Sequence, residues 1–189
     1  MPVRIIVLGE ACNITFELER LGLRGPSSLF EWHVSHNFDD VIKVIKMLRD
    51  GKEIFYTTKE DVPGSKFLAG LDISTAHYEK VDYMEIIRRR AERFITDVKS
   101  GDQLLFIRYD EYGLRLTIEQ VKGFNESILS IEPNCIFKLL LLSPEKGFTS
   151  LIEDRLIHRP FIQGMNEHFI TDCFEEKIPQ VFKDAVDTD

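Results

Sequence analysis

Val3 to Asn13 reads VRIIVLGEACN, and the reading of this stretch decides the fold. Val3 to Leu8 is a nearly continuous aliphatic run, the composition of a strand buried on both faces. It stops at Gly9. From Asn13 the apolar residues Ile14, Phe16, Leu18 and Leu21 fall at the spacing of a helix that ends at Gly22. A buried strand that passes within a few residues into an amphipathic helix is the opening of an alternating α/β chain.

The same alternation continues downstream. Phe38, Val41, Ile42, Ile45 and Leu48 predict a helix over 38–48, capped by Asn37 or Asp39 and closed by Gly51. Lys52 to Thr58 reads as a strand. Residues 59–82 show little periodicity and contain Pro63, Gly64 and Gly70, so they read as an irregular loop of the functional kind. Tyr83 to Lys99 is a helix with Ile87, Ala91, Phe94, Ile95 and Val98 on one face. Gln103 to Arg108 (QLLFIR) and Ile136 to Leu142 (IFKLLLL) are two further buried strands. Between them Thr117 to Ile131 is helical, with Thr117 and Gln120 spaced as a capping box. From Ser143 on the pattern is mixed, with a helix near Lys177 to Ala185 and a flexible tail over 183–189. The expectation is one α/β domain over 1–189: three layers, an open and mostly parallel sheet with helices on both faces. In such sheets ligands bind beyond the carboxyl ends of the strands. That edge would hold both Gly9 to Asn13 and Arg108 to Gly113.

Composition narrows the function classes. The net charge of −8 argues against nucleic-acid and anionic-membrane partners. No apolar run approaches the roughly 18 residues of a membrane span, and MPVRIIVLGEA is too short and too soon interrupted for a signal peptide. Three widely spaced cysteines, Cys12, Cys135 and Cys173, do not form a disulfide framework or a zinc motif. The expected location is therefore cytoplasmic. With no P-loop, GxGxxG, HExxH or GxSxG, no cofactor and no metal are expected. A small-molecule or peptide substrate is the expected partner; the sequence does not specify an oligomeric state.

Cys12 is the residue with chemistry in it. At a strand-to-helix turn its thiol would meet unpaired backbone N–H groups, which stabilise a thiolate and an oxyanion. The alternative is a small apolar residue of the core. Cys135 precedes a strand and reads as structural. A thiol nucleophile needs a base, and the histidines are His33, His36, His77, His158 and His168. His77 sits at the end of the irregular stretch, where catalytic residues concentrate. The segment RRRAERF, Arg88 to Phe94, is basic for an acidic chain. It reads either as a solvated face, with Glu85 to Arg89 and Arg88 to Glu92 at helical spacing, or as an anion site. In the second case Arg89 and Arg93 act with Arg108, at the end of the next strand. Trp32, between the turn-rich RGPSS segment and His33, lines an apolar or sugar pocket or packs in the core.

Several of these residues together resemble a known family. Leu8-Gly9-Glu10-Ala11-Cys12, Gly22-Leu23-Arg24, Ser27-Ser28, Phe30-Glu31-Trp32, His77, the Arg89-Arg90-Ala91-Glu92-Arg93-Phe94 helix and Phe106-Ile107-Arg108 are similar to the pattern of a bacterial family of unknown function labelled papain-like cysteine peptidases. The resemblance covers roughly Val3 to Tyr109. It implies Cys12 as nucleophile, His77 as its partner, a peptidase-like hydrolase activity, and a papain-like α+β fold as the alternative to the alternating α/β one. The chain departs from the family at Val7, where Ser is usual, at Glu31, where Asp is usual, and at Tyr78, where Asp commonly follows the histidine. Glu79, Asp82 and Asp110 are the candidates for the acid that would orient the base. A nucleophile just after the first strand also resembles the arrangement of SGNH hydrolases, whose later Asp-x-x-His block is not evident here.

Overall fold

Val3–Val7 forms β1, and the helix α1 (Asn13–Arg20) begins six residues after it ends. The computed structural model describes residues 3–9, 13–20, 22–59, 65–75, 83–110, 116–143 and 155–160. Three further strands pair with β1 in one parallel sheet: β5 (Gln103–Tyr109), β6 (Phe137–Ser143) and β7 (Leu156–Pro160). Their order is β1-β5-β6-β7, with Val7 beside Ile107, Tyr109 beside Leu142, and Ser143 beside Pro160. A separate three-stranded antiparallel sheet holds β2 (Tyr56–Thr58), β3 (Lys66–Leu68) and β4 (Ser74–Thr75). The fold is thus mixed α/β, with parallel pairing in the main sheet.

Alternation along the main strands divides the apolar side chains into two clusters. Ile6 and Leu8, Leu104 and Phe106, and Phe137, Leu139 and Leu141 join the larger one. They meet the apolar stripes of α2 (Phe38–Arg49), α3 (Tyr83–Val98) and α4 (Ile118–Ile131). Phe106 stands at its centre, with Phe124 and Phe137 edge-on at centroid distances of 5.1 and 5.7 Å. Val7, Leu105, Ile107, Tyr109, Leu140 and Leu142 form the smaller cluster with Ile14 and Leu18 of α1. Runs that bury both alternating sets read as continuous apolar segments, which is why these strands were legible.

Helix ends follow local chemistry. Asn37 caps α2, its side chain accepting from the Asp39 N–H at 3.0 Å. At the other end Gly51, at φ +66°, carries the reversed turn: its N–H reaches the Leu48 carbonyl and that of Lys52 the Met47 carbonyl. Thr117 and Gln120 make the predicted capping box of α4. On α3, Arg88 pairs with both Glu85 and Glu92, at 2.8 and 2.6 Å. The expected Glu85–Arg89 pairing gives way to this one, since i,i+3 neighbours lie as close as i,i+4.

Residues 59–82, expected to be irregular, contain β3 and β4. These strands are only three and two residues long, too short for a period to show. β7 was not expected either. The C-terminal helix near Lys177 to Ala185 and the tail 183–189 lie outside the described residues. No helix among the described residues is long and apolar enough to cross a membrane.

Candidate functional site

The carboxyl ends of β1 and β5 lie side by side, and the site grows from them. Leu8 continues the pairing one residue past β1, donating its N–H to the Ile107 carbonyl at 2.9 Å. Gly9 then turns the chain at φ +83°. A Cβ there would lie 2.7 Å from Ser35 Oγ and 3.5 Å from the His33 and Phe30 carbonyl oxygens. The turn is therefore seated against residues 22–37, and both its backbone angle and its close approach call for glycine. Residues 10–12 lie outside the described residues, and α1 starts at Asn13, immediately after Cys12.

Residues 22–37 are fastened to β1, to α3 and to the smaller sheet by side-chain and backbone hydrogen bonds. Ser28 Oγ donates to the Val7 carbonyl at 3.1 Å, tying the segment to β1. Arg93 Nη1 donates to the Ser27 carbonyl at 2.8 Å, and Arg90 Nη1 to the Glu31 carbonyl at 3.4 Å, both from α3. Within the segment, Arg24 bonds Ser27 Oγ and the Glu31 carboxylate, and also meets Glu19. Burial works against the charge of Arg24, but Glu31 and Glu19 outweigh it, so the guanidinium holds its proton more tightly than usual. His33 is buried; its Nδ1 lies 2.9 Å from the Glu31 carbonyl and its Nε2 2.6 Å from the Tyr56 hydroxyl. A carbonyl only accepts, so Nδ1 carries a proton, and Nε2 shares a hydrogen bond with the Tyr56 hydroxyl. Val34 and Ser74 exchange backbone bonds at 2.8 Å, joining the segment to β4.

Arg108 is 2% exposed despite its charge. Its Nη1 donates to Ser35 Oγ at 2.6 Å and to the Leu8 carbonyl at 3.3 Å, and its Nη2 to the Ser35 carbonyl. The guanidinium carbon also lies 5.4 Å from the centre of the Phe38 ring. Beside it is a cavity of about 240 Å³. Arg108 and Asp110 enter its wall from the end of β5; His36, Asn37 and Phe38 from the start of α2; Leu116 and Gln120 from the start of α4. Gln120 staples the two helix starts, donating from Nε2 to Asp39 at 3.1 Å while its Oε1 accepts from the Thr117 N–H. The Asp110 N–H donates to the Leu142 carbonyl at 2.7 Å, which holds that residue to β6.

The expected site residues fall in different places. Cys12 and His77 lie outside the described residues, as does His168. Arg108 lines the cavity just described. Arg93 lines a second cavity of about 240 Å³ along β1, and Arg89 is exposed and lines neither. Trp32 sits at φ +67°, with its ring edge-on to Phe16 at 5.2 Å and the Arg24 guanidinium 5.7 Å from its centre. Phe16 is in the first turn of α1 and 54% exposed, so Trp32 stands beside the start of that helix. Sequence reasoning did not join His36, Phe38, Asp110 and Gln120 to Arg108. Each lies at the edge of an element, and only the parallel crossover brings those edges together. Among the described residues no cluster of His, Cys, Asp and Glu is arranged to hold a metal ion.

Comparison with protein-family models, with curated protein sequences and with solved structures finds no match.

Proposed function

We propose that the protein is a cysteine-dependent hydrolase of the peptidase kind, or an acyltransferase, with Cys12 as its nucleophile and His77 as its base. One observation carries the reading: β1 is followed two residues on by a left-handed Gly9, and α1 begins on the residue after Cys12. A thiol at the start of a helix is stabilised as thiolate by the amides there. The sulfur adds to a substrate carbonyl, and the same amides receive the oxyanion. The leaving group departs with the proton that His77 took from the thiol. Water then cleaves the thioester, or an acceptor amine or alcohol does in the transferase case. Trp32 supplies an apolar face beside α1, and Arg108, at the carboxyl end of β5, holds an anionic group of a small-molecule or peptide substrate, while Arg93 and Arg89 lie away from that cavity. The family resemblance points the same way. The finer architecture belongs to this reading: three layers, α1 on one face of the parallel sheet and α2, α3 and α4 on the other. So does a cytoplasmic location without nucleic-acid partners.

Iodoacetamide alkylation of Cys12 as a function of pH, followed by peptide mass spectrometry, tests it. A rate that reaches half its plateau well below pH 8.5, and shifts upward in His77→Asn, is the expected result. A Cys12 that titrates like a free thiol, or does not react, ends the nucleophile reading. The competing reading is a non-catalytic module that binds a small anion or a carbohydrate through Arg89, Arg93 and Arg108. The cavity against Arg108 is what favours it, and Cys12→Ser would then leave binding intact.

A further inference from the structure

β1 is an outer strand of the parallel sheet, whose order is β1-β5-β6-β7. Backbone groups along a strand alternate in direction. Leu8 turns its N–H to the Ile107 carbonyl of β5, so Arg4 and Ile6 turn the same way and Val3, Ile5 and Val7 turn outward. The Val7 carbonyl does so visibly, accepting from Ser28 Oγ at 3.1 Å. The outward groups of Val3 and Ile5, both half-buried, have no such partner among the described residues. They belong to the wall of the second cavity of about 240 Å³, which Gly25, Pro26 and Ser28 also line. Its volume is that of roughly eight water molecules, room for the end of an extended chain. A strand edge whose backbone groups are unpaired is a template for another strand.

The two ends of this edge differ in charge. Ser28 is bonded to Val7, and the adjacent Ser27 carbonyl accepts from Arg93 Nη1 at 2.8 Å, so Arg93 lies toward the carboxyl end of β1. That bond is to a neutral oxygen, which orients the guanidinium without cancelling its charge. Asp97, one helical turn further along α3, is engaged by Arg4 instead. Arg4 also lies 3.8 Å from Asp102, near the amino end of β1. Two carboxylates against one guanidinium leave that end negative. Ser28 closes the row at the other end, because it takes the Val7 carbonyl that a longer added strand would need.

We propose that this edge receives the carboxyl terminus of a partner polypeptide, extended and parallel to β1. Its main chain pairs with Val3 and Ile5, its terminal carboxylate meets Arg93, and a basic residue upstream meets the Asp97 and Asp102 end. A chain parallel to β1 runs toward the Ser28 closure, and one that ends there needs no space beyond it. A carboxylate in mid-chain would not meet that condition. The proposal does not depend on the chemistry of Cys12.

Fluorescence polarisation of the full chain with the fluorescein-labelled hexapeptide Lys-Thr-Lys-Val-Thr-Val tests it. The free acid should bind at least about tenfold more tightly than its C-terminal amide, the loss of one charge-assisted contact. Of two versions N-methylated on alternate residues, the one that blocks the N–H groups facing β1 should lose binding and the other should keep it. Arg93→Gln, which can still donate to the Ser27 carbonyl, should bring the free acid down to the affinity of the amide. Ile5→Pro removes an outward N–H but none of the bonds to β5, and should weaken the free acid at least about tenfold. The peptide series uses the wild type, so it decides the matter even where a variant fails to fold. Absence of binding by the free acid overturns the proposal, and so does equal binding of acid and amide. Equal binding of the two N-methylated versions overturns it too, since that describes an anion site at Arg93 without strand pairing. An amide with Glu in place of the last Val that binds as tightly as the free acid assigns Arg93 to acidic side chains and overturns the role of the terminus.

Discussion

A methyl group on Gly9 would stand 2.7 Å from Ser35 Oγ, on a backbone at φ +83°. The left-handed angle alone costs a side-chain-bearing residue about 1–2 kcal/mol, and the overlap with Ser35 adds to it. Gly9→Ala should therefore destabilise the fold by roughly 2–4 kcal/mol. Gly25→Ala is the control: a Cβ there meets nothing within 4 Å, and the change should stay within about 0.5 kcal/mol. Urea unfolding midpoints of the two variants measure the contrast, and equal midpoints would show that the turn is not seated on Ser35. At this scale the sequence exposed one side of each contact. A glycine closing an aliphatic strand announces a turn, and an arginine ending a strand announces a charge at the ligand edge. What they touch was hidden, because Arg108 and Ser35 are separated by 73 residues and have no local signature in common. The same holds for Arg90 and Arg93, whose i,i+3 spacing is visible while their acceptors, the Glu31 and Ser27 carbonyls, lie in another segment.

Among the elements, α4 shows where local pattern and fold agree. Thr117 accepts from the Gln120 N–H at 3.2 Å and Gln120 answers at the Thr117 N–H at 3.0 Å, both readable from a T-x-x-Q spacing. Thr117→Ala should cost about 1 kcal/mol, and Thr117→Ser only a fraction of that. Because Gln120 also reaches Asp39 of α2, the Ala variant should raise amide hydrogen exchange in the first turns of both helices, whereas a purely local cap would affect α4 alone. The strands divide by burial. β1, β5 and β6 were legible because runs such as LLFI and LLLL fill both faces of the sheet. β7, LIHRP, carries a histidine, an arginine and a proline, and it stands at the edge of the sheet order, where a proline without an N–H is tolerated. Its pairing with β6 comes from position, which composition does not encode. The same limit applies to β3, paired over three residues with β2 and two with β4, and to β4 itself.

At the scale of the whole molecule, stability and pH are linked through a residue far from the chemistry proposed for Cys12. Cys135 precedes β6 with its side chain in the larger core cluster. Burial pushes its thiol up from the ordinary 9.0 to about 11, against the pull of the Arg155 charge and with a push from Glu132. The folded protein therefore keeps this proton over a range in which the unfolded chain gives it up. Below about pH 9 both states are protonated and the group adds no pH dependence. Between about 9 and 11 the unfolded state binds fewer protons than the folded one, so the free energy of unfolding falls as pH rises. Each unit of separation corresponds to about 1.4 kcal/mol, and the loss over this window should amount to roughly 2 kcal/mol. Lysines and tyrosines titrate in the same range, but they do so equally in Cys135→Ala. Urea unfolding of both proteins from pH 8 to pH 10.5 isolates the thiol. The wild type's stability relative to Cys135→Ala should hold steady up to about pH 9 and then decline. A difference that stays constant across the range would mean that the thiol ionises as readily in the folded protein as in the unfolded chain, and that the core below β6 admits its charge.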